Sequence, residues 1–272
     1  MSLQNSTQVK PDQLKHNLKQ LKSALVAFSG GVDSTLLLRI ASEVLREKAI
    51  AVTVTSELYF PFELIEAQSF TRQLSLKHIQ LENKALTDAE FRGNTPERCY
   101  WCKKAMFIEL KKLARQQGID HIIDGTNWDD LDDYRPGLKA LEELGIMSPL
   151  KEAEFTKADI REVSKALDLP TWNKPALACL ASRFPYGTRI TSERLNQVRQ
   201  AEEFLRIQGF GQFRVRHHQD TARIELSPEE MRQLFPENIR QQVVVYFKQL
   251  GYTYVTMDLE GYRTGSLNEI LK

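Results

Sequence analysis

Apolar residues in the first half of the chain follow helical and strand spacing in turn. After Pro11, leucines recur at helical spacing and predict a first helix: Leu14, Leu18, Leu21 and Leu25. The apolar run 25–28 and the β-branched run 49–56 predict strands that are covered on both faces. Helical stretches over 61–75 and 101–117 flank a weaker strand at 78–81, and a short strand follows at 119–124. This order predicts a doubly wound parallel α/β sheet that binds its ligand at the carboxyl ends of the strands.

The pattern changes at about residue 190. A predicted helix over 192–208 leads to Gly209, and residues 213–216 and 222–226 then alternate apolar and polar around a turn at 219–220. A long helix ends at Gly251, and a strand follows over 252–259. We therefore predict a first domain over 1–190 and a smaller α+β domain over 191–272.

Composition limits the partners of this chain. It has 272 residues, with 37 Lys and Arg against 36 Asp and Glu, so the net charge is +1. Such a balance gives no overall field for nucleic acid or membrane, and anion binding must be local. No apolar run approaches the ~18 residues of a membrane span, and the N-terminus lacks the regions of a secretory signal. We expect a cytoplasmic protein that forms a homo-oligomer.

The most informative segment is the phosphate loop, residues 28–35, which read Phe-Ser-Gly-Gly-Val-Asp-Ser-Thr. A strand that enters a helix through adjacent glycines aims unpaired N–H groups and the positive helix end at one small volume, which suits a phosphate. A Walker A loop would need a lysine and more widely spaced glycines. The predicted nucleotide-binding residues of the loop are Phe28, Ser29, Gly30, Gly31, Asp33 and Ser34.

Further polar residues are expected near this loop. Ser56 and the run 124–127, which contains Gly125, close neighbouring strands. Asp33 is a candidate Mg²⁺ ligand because hard Mg²⁺ prefers oxygen donors, although its carboxylate could instead serve the helix dipole. Arg135 is a candidate anion clamp. An acidic cluster offers a second metal site or a solvated loop: Asp129, Asp130, Asp132 and Asp133.

The chain has three cysteines, at Cys99, Cys102 and Cys179. Three thiolates can hold three irons of a [4Fe–4S] cluster and leave the fourth iron open. The pair at 99 and 102 could also be a redox couple. A structural zinc lacks a fourth ligand at suitable spacing among the five histidines, and a cysteine can simply be a small core residue. Lys103 and Lys104 follow the pair, and one of them is a candidate for the same cleft.

Several motifs carry a resemblance to known families. The hexamer Ser29-Gly-Gly-Val-Asp-Ser34 resembles the signature of the PP-loop ATP pyrophosphatases, whose fold is adenine nucleotide alpha hydrolase-like. Three further runs resemble the LarE family of ATP-dependent sulfur transferases over nearly the whole chain: 124–137 (Asp-Gly-Thr-Asn to Asp-Tyr-Arg-Pro-Gly), 172–188 (Trp-Asn-Lys-Pro to Ala-Ser-Arg-Phe-Pro-Tyr-Gly-Thr) and 215–226 (Val-Arg to Ala-Arg-Ile-Glu-Leu).

The resemblance implies an activity. Family members use ATP to adenylylate a pyridinium biscarboxylate mononucleotide and add sulfur to it, during biosynthesis of the nickel-pincer nucleotide cofactor of lactate racemase. One branch sacrifices a cysteine that aligns with Ala178, and another carries three cysteines and a [4Fe–4S] cluster that uses an external sulfide donor. This chain resembles the second branch, with Cys179 as sacrificial donor as the alternative. Arg214 and Arg216 are two apart on a predicted strand and therefore share a face, which could be a solvated one. The resemblance instead assigns the substrate phosphate to Arg214, Arg216 and Arg263. It implies that the small domain binds this phosphate, mediates oligomerisation, or both.

Three other classes stay open from sequence alone. A tRNA thiolation enzyme pairs a similar loop with cysteines, but the chain lacks basic tracts for RNA. A synthetase of the NAD or GMP kind would need ammonia delivery rather than thiols. A non-enzymatic nucleotide-binding module would leave the cysteines without a role, and fold alone does not separate these classes.

Overall fold

A computed structural model describes residues 6–131 and 135–271 of the chain. Backbone contacts divide it into two units. The first unit takes the chain up to Ala85 and from Cys99 to Leu177, and the second takes Leu86–Arg98 and the chain from Ala178 onward. The predicted division of roles between two domains stays a prediction.

The secondary structure is a mixture of helices and short strands in both units. The helices of the described chain are α1 (Ser6–Gln20), α2 (Val32–Leu45), α3 (Pro61–Gln73), α4 (Ala89–Arg92), α5 (Arg98–Gln116), α6 (Gly137–Glu143), α7 (Pro149–Glu152), α8 (Lys157–Ala166), α9 (Ser192–Ile207), α10 (Pro228–Met231) and α11 (Glu237–Gln249). The strands are β1 (Ala24–Ala27), β2 (Ala49–Thr55), β3 (His78–Glu82), β4 (Ile122–Ile123), β5 (Phe213–His218), β6 (Thr221–Leu226) and β7 (Tyr254–Met257). Short 3₁₀ helices span Arg46–Lys48, Ala85–Thr87, Trp128–Leu131, Leu180–Arg183, Arg232–Leu234 and Ser266–Leu271.

A four-stranded parallel sheet in the order β3-β2-β1-β4 forms the centre of the first unit. Alternate residues of β1 point to opposite faces: Val26 packs with α1, α2 and α8, whereas Leu25 packs with α5 and α6. The sheet is therefore covered by helices on both faces, as the sequence predicts. Strand order reverses at β1, so the carboxyl ends of β1 and β4 form the crevice in which such sheets bind ligands.

The second unit contains a three-stranded mixed sheet in the order β5-β6-β7. Strands β5 and β6 are an antiparallel hairpin, and β7 adds in parallel to β6. Helices α9 and α11 cover one face and bury Leu205, Val215, Ile224 and Phe247. The result is the small α+β structure expected from the sequence.

Residues 86–98 belong to the second unit through hydrogen bonds to the segment that precedes α9. The Asn94 side chain donates to the carbonyls of Phe184 and Pro185, and the Asn94 backbone carbonyl accepts from Gly187 N–H. The Ile190 N–H donates to the carbonyl of Arg92. Asn94 has a φ of 54°, a left-handed conformation that asparagine tolerates better than most residues.

Element boundaries differ in a few places from the predicted ones. Helix α1 ends at Gln20, so Leu25 belongs to β1 rather than to the helical leucine series. Strands β4 and β7 are shorter than predicted, because β4 pairs only at Ile122 and Ile123 and β7 only from Tyr254 to Met257. None of the helices within the described residues is long and apolar enough to cross a membrane.

Candidate active site

The phosphate loop turns sharply between β1 and α2. The Phe28 N–H still pairs with the carbonyl of Val52 in β2, and Gly30 then adopts a φ of 73°. That left-handed conformation favours glycine. Gly31 caps α2 in an extended conformation and, as a glycine, supplies no side-chain capping hydrogen bond. Because the first N–H groups of a helix have no acceptor within it, this end is open to an anion.

Two hydroxyl groups stabilise the turn. Ser29 Oγ and Ser34 Oγ lie 3.0 Å apart, and the Ser34 hydroxyl also donates to the Gly31 carbonyl at 3.2 Å. Ser34 is buried, whereas Ser29 is exposed. The loop therefore holds its shape without a ligand and presents one serine to solvent.

The strand β4 supplies the opposite wall of the crevice. A Cβ atom added at Gly125 would lie 3.0 Å from Ser34 N and 3.2 Å from Ser34 Cα. Only glycine lets the chain pass so close to the start of α2. The preceding Asp124 is buried and accepts hydrogen bonds from the hydroxyls of Thr126 and Ser148, each at 2.7 Å.

Asp33, in the first turn of α2, forms an ion pair that the sequence does not reveal. Lys157 Nζ lies 2.6 Å from both of its carboxylate oxygens. The Asn127 side chain donates to the same carboxylate at 3.3 Å, and its own carbonyl oxygen Oδ1 is buried without a hydrogen-bond partner. Lys157 is the first residue of α8, and the capping box of Thr156 and Asp159 marks the start of this helix in the sequence. No sequence signal indicates that Lys157 reaches Asp33.

A second lysine contacts the loop from a distant segment. Lys174 Nζ donates to the Gly30 carbonyl at 3.0 Å and to Glu66 on α3 at 2.6 Å. Arg161 on α8 donates to the carbonyls of Trp172 and Lys174 and so holds the segment that carries this lysine. Lys174 lies within the motif Trp-Asn-Lys-Pro that supported the family resemblance.

The remaining nucleotide-site candidates have local partners. The Ser56 hydroxyl accepts from Leu58 N–H just after β2. Arg135 Nη1 lies 2.8 Å from the buried Asp130 carboxylate, which also accepts from Asn127 N–H. Asp129 accepts from Lys157 N–H. The members Asp132 and Asp133 of the acidic cluster lie outside the described residues.

The cysteines divide between the units. Cys99 and Cys102 lie one turn apart at the start of α5, where Asn83 donates to Cys102 Sγ at 3.6 Å. Cys179 lies in the second unit, directly before the 3₁₀ turn Leu180–Arg183. No group of three or more His, Cys, Asp or Glu side chains forms a metal-binding arrangement among residues 6–131 and 135–271.

The two lysines after the cysteine pair differ in their contacts. Lys103 Nζ lies 3.7 Å from Asp124, at the crevice, and its stem covers Gly137. Lys104 instead pairs with Tyr100 and Glu143, and these hydrogen bonds raise its pKa. Lys103 is thus the one near the phosphate loop.

The second unit contains four buried arginines: Arg98, Arg183, Arg214 and Arg216. We call the last three the arginine group. Arg183 is fully buried and forms two hydrogen bonds with Glu202 on α9, at 2.8 and 2.7 Å. Arg216 pairs in the same way with Glu225 on β6, with both distances 2.8 Å. Arg214 stacks on Tyr262. The third predicted arginine, Arg263, is paired with Glu260 and Glu269 at the surface.

Electrostatics distinguish the members of this group. Burial would lower the pKa of Arg183, but the carboxylate of Glu202 more than compensates, and the pKa is raised. Burial and the charge of Arg183 lower the pKa of Arg214. A bound anion beside Arg214 would relieve this repulsion.

Arg183 also positions the chain around Cys179. Its Nη1 donates to the carbonyls of Ala178 and Cys179, at 2.6 and 3.1 Å, and to the hydroxyl of Ser182. The carbonyl of Ser182 in turn accepts from Arg216. The cysteine and the arginine group are therefore parts of one hydrogen-bonded network. Sequence reasoning missed Arg183 and Glu202, because a lone arginine and a helical glutamate carry no pairing signal.

His217 adjoins the group on β5. It is buried against Phe184, and its Nδ1 lies 3.4 Å from the Tyr252 hydroxyl. Burial, assisted by the charge of Arg194, lowers the pKa of His217 to about 4. The imidazole is therefore neutral near neutral pH.

The sequence of this chain is similar to those of several known proteins. A pyridinium-3,5-bisthiocarboxylic acid mononucleotide synthase from Lactiplantibacillus plantarum is 41% identical over 257 residues, which cover 93% of this chain and 92% of that protein. An uncharacterised protein from Synechocystis sp. is 43% identical over 262 residues, 96% of this chain and 98% of its own length. A tRNA-specific 2-thiouridylase from Desulforamulus reducens is 26% identical over 200 residues, 57% of this chain and 53% of that protein. No protein-family model matches the chain.

Proposed function

Since the chain belongs to the LarE family of ATP-dependent sulfur transferases, we propose that it adenylylates pyridinium-3,5-biscarboxylic acid mononucleotide and converts a carboxylate of that substrate to a thiocarboxylate. The observation that carries this proposal is the 41% identity to the named synthase over 93% of this chain and 92% of that protein. The phosphate loop and the arginine group give the two recognition elements that the reaction needs. The product belongs to biosynthesis of the nickel-pincer nucleotide.

ATP binds at the phosphate loop in this proposal. The open N–H groups at the start of α2 and the exposed Ser29 hydroxyl hold the phosphates. Gly30 and Gly125 leave room for them, and Lys174 holds the Gly30 peptide in place. Ser56 and Arg135 are assigned to the same nucleotide.

Mg²⁺ fits the donors beside this loop. Asp33 offers carboxylate oxygens, and the buried Asn127 Oδ1 lacks a hydrogen-bond partner. Oxygen ligands of these kinds are those that Mg²⁺ prefers. When bound, the ion would neutralise charge on the phosphates.

The reaction proceeds in two balanced steps. A substrate carboxylate oxygen attacks the α-phosphorus of ATP, and the bond to the β-phosphate oxygen breaks to release pyrophosphate. Hydrosulfide then attacks the acyl carbon of the adenylate, and AMP leaves with the electron pair of the carbon–oxygen bond. No oxidant or reductant is consumed, provided that a donor supplies sulfur at the sulfide level.

The arginine group binds the substrate phosphate in this proposal. Arg214 carries a charge that burial and Arg183 disfavour, so an incoming phosphate stabilises it. Arg216 is oriented by Glu225. Arg263 adds a surface contact once it leaves Glu269.

Sulfur delivery by a [4Fe–4S] cluster is supported by the chemistry of the donor set. Cys99 and Cys102 share one face of α5, which suits two thiolate ligands, and Arg183 orients the backbone of Cys179 as the third. Metal binding can itself order its ligands, because its free energy is coupled to folding. When bound, the cluster would supply an open iron for sulfide. The alternative keeps the adenylylation step and uses Cys179 as a sacrificial donor.

Other functional classes receive less support. The similarity to the 2-thiouridylase covers 57% of this chain at 26% identity, whereas the synthase matches almost end to end. A synthetase that uses ammonia would not need the thiols. A sulfide donor and a homo-oligomer remain part of the proposal.

The test of adenylylation combines the pure protein with ATP, Mg²⁺, a sulfide source and the pyridinium mononucleotide. We expect AMP, pyrophosphate and a product in which mass spectrometry finds sulfur in place of oxygen. ADP and orthophosphate would refute the mechanism. Asp33→Ala should abolish pyrophosphate release with an unchanged circular dichroism spectrum, and Asp12→Ala is the matched control.

The test of the sulfur source is anaerobic purification with iron and acid-labile sulfide analysis. A cluster predicts a brown protein with about four irons per chain, and Cys→Ser at position 99, 102 or 179 should each remove colour and sulfur transfer. An iron-free sample that makes product and loses the mass of hydrogen sulfide at Cys179 would establish the sacrificial route instead.

A further inference from the structure

The ion pair between Lys157 and Asp33 occupies the position where the proposed function needs a metal ion. Lys157 Nζ contacts both carboxylate oxygens at 2.6 Å. Because the ammonium already neutralises this carboxylate, a second cation would bind to it only weakly. A metal ion that uses Asp33 must therefore displace the ammonium.

A second observation also indicates a cation at this place. Asn127 is buried, its amide N–H₂ faces Asp33, and its carbonyl Oδ1 has no hydrogen-bond partner. This orientation of the Asn127 amide is the favoured one, because the flipped amide would place Oδ1 against a carboxylate oxygen of Asp33. A buried carbonyl oxygen without a partner is costly, and a hard cation beside Asp33 would satisfy it.

Lys157 can leave Asp33 without disturbing the fold. Its backbone is held by the capping box of Thr156 and Asp159 and by the bond from its N–H to Asp129. Only the flexible side chain needs to move, and 38% of it is exposed. Since the ammonium lies beside the open end of α2, the nearest new anion in an ATP complex is a phosphate.

We propose that Lys157 is an exchangeable cation, which neutralises Asp33 in the nucleotide-free protein and moves to an ATP phosphate when the metal–nucleotide complex takes Asp33 and Asn127. The inference rests on the proposed function for the identity of the ligand. It assigns to Lys157, from the start of α8, the phosphate contact that a Walker A loop obtains from its own lysine. It also makes metal binding without nucleotide weak, because the ammonium competes for Asp33.

The test measures two affinities in Lys157→Met. Mn²⁺ binding to nucleotide-free protein is followed by electron paramagnetic resonance, and binding of an ATP analogue with an uncleavable α,β-bridge is followed calorimetrically at saturating Mg²⁺. Removal of the competing ammonium should strengthen Mn²⁺ binding about threefold, the scale of a partly exposed ion pair. Loss of the phosphate contact should weaken analogue binding about tenfold.

Three control variants assign the change. Lys165→Met removes a lysine from the same helix, where it lies over the Trp172 ring, and should leave both affinities unchanged. Asp33→Asn should remove the Mn²⁺ site with or without Lys157. Lys157→Arg retains a cation and should bind the analogue within about threefold of the original protein, since arginine also pairs with phosphate.

The exchange requires that Lys157→Met strengthen Mn²⁺ binding and weaken analogue binding. If both affinities fall in Lys157→Met, the lysine merely supports the site, and if analogue binding is unchanged, it never reaches the phosphate. Either result overturns the exchange. Lys157→Gln replaces the Met variant if that variant does not fold. Both measurements stop at binding, so absence of pyrophosphate release in the wild-type assay would count against the proposed reaction alone.

Discussion

The phosphate loop and the arginine group both offer positive charge to a phosphate, but they hold it differently. Around the loop, Lys157 is partly exposed and pairs with a single aspartate through a movable side chain. In the arginine group, Arg183 and Glu202 are almost inaccessible and joined by two hydrogen bonds. The loop thus suits a ligand whose charge changes on cleavage, whereas the group suits one that stays bound and oriented.

The difference has an energetic basis. A partly exposed ion pair contributes at most about 1 kcal/mol, so a lysine can exchange partners at little cost. A buried pair has lost its hydration, and removal of one partner leaves the other charge stranded. The following variants test whether the two regions behave in these two ways.

The largest effect is expected at the buried pair. Glu202→Gln leaves Arg183 without its carboxylate and should lower the free energy of unfolding by about 3–5 kcal/mol, measured by chemical denaturation. Glu193→Gln, at an exposed position of the same helix, is the control and should change it by less than about 0.5 kcal/mol. A loss for Glu202→Gln as small as the control's would show that the network is dispensable.

The crevice should be the next most sensitive feature. Gly125→Ala places a methyl group 3.0 Å from Ser34 N, and the start of α2 must shift. We expect destabilisation of about 1–3 kcal/mol and at least tenfold weaker ATP binding by calorimetry. Gly93→Ala, where the added atom meets nothing closer than 3.5 Å, should spare ATP binding. Normal ATP binding in Gly125→Ala would separate the crevice from the nucleotide site.

A variant of Arg214 should separate function from stability. Because burial and Arg183 disfavour its charge, Arg214→Met should leave the thermal midpoint unchanged or raised. The same variant should weaken binding of the mononucleotide about tenfold, through loss of a charge-assisted contact, and leave ATP binding intact. Arg216→Met removes two of the hydrogen bonds of the buried Glu225 and leaves that carboxylate only the longer contact with Arg223, so it should lower the midpoint. A parallel fall of stability in both variants would argue that Arg214 is structural.

The smallest effect concerns pH. His217 has a pKa of about 4 in the folded chain against 6.5 ordinarily, so the unfolded chain binds more protons between these values. Stability is therefore complete above about pH 6.5 and declines as the pH falls toward 4. We expect a loss of about 1 kcal/mol between about pH 7 and about pH 5.8, and His217→Asn should reduce this slope in denaturation curves. An unchanged slope would assign the pH dependence to other groups.

The sequence predicts the framework of this protein better than its ion pairs. The continuous apolar runs of β1 and β2 and the glycines of the phosphate loop are local signals, so the parallel sheet and the turn into α2 could be predicted. Lys157 pairs with a residue 124 positions away, and Lys174 with one 144 positions away. Such pairings depend on tertiary structure, and no local pattern encodes them.

Strand β5, which carries Arg214 and Arg216, shows the same limit of prediction from sequence. The spacing of Arg214 and Arg216 correctly predicts a common face of β5, but a shared face can be solvated or buried. Segments distant in sequence decide this, because Arg216 donates to the carbonyl of Ser182 and Arg214 lies over the ring of Tyr262. Likewise, Asp130 was predicted within a solvated loop or a metal site, and the structure buries it as the acceptor for Asn127 and Arg135.

The double crossing of the chain between the units has a consequence for biosynthesis. The stretch from Leu86 to Arg98 leaves the ribosome long before Pro185, Gly187 and Ile190, to which it is hydrogen-bonded. Although domains usually complete their folding in order of synthesis, this stretch must wait, solvated, until about ninety further residues have emerged. A fragment that begins at Ala178 would therefore lack the hydrogen-bond partners of its segment 184–190, and a synthetic peptide of residues 86–98 should restore them.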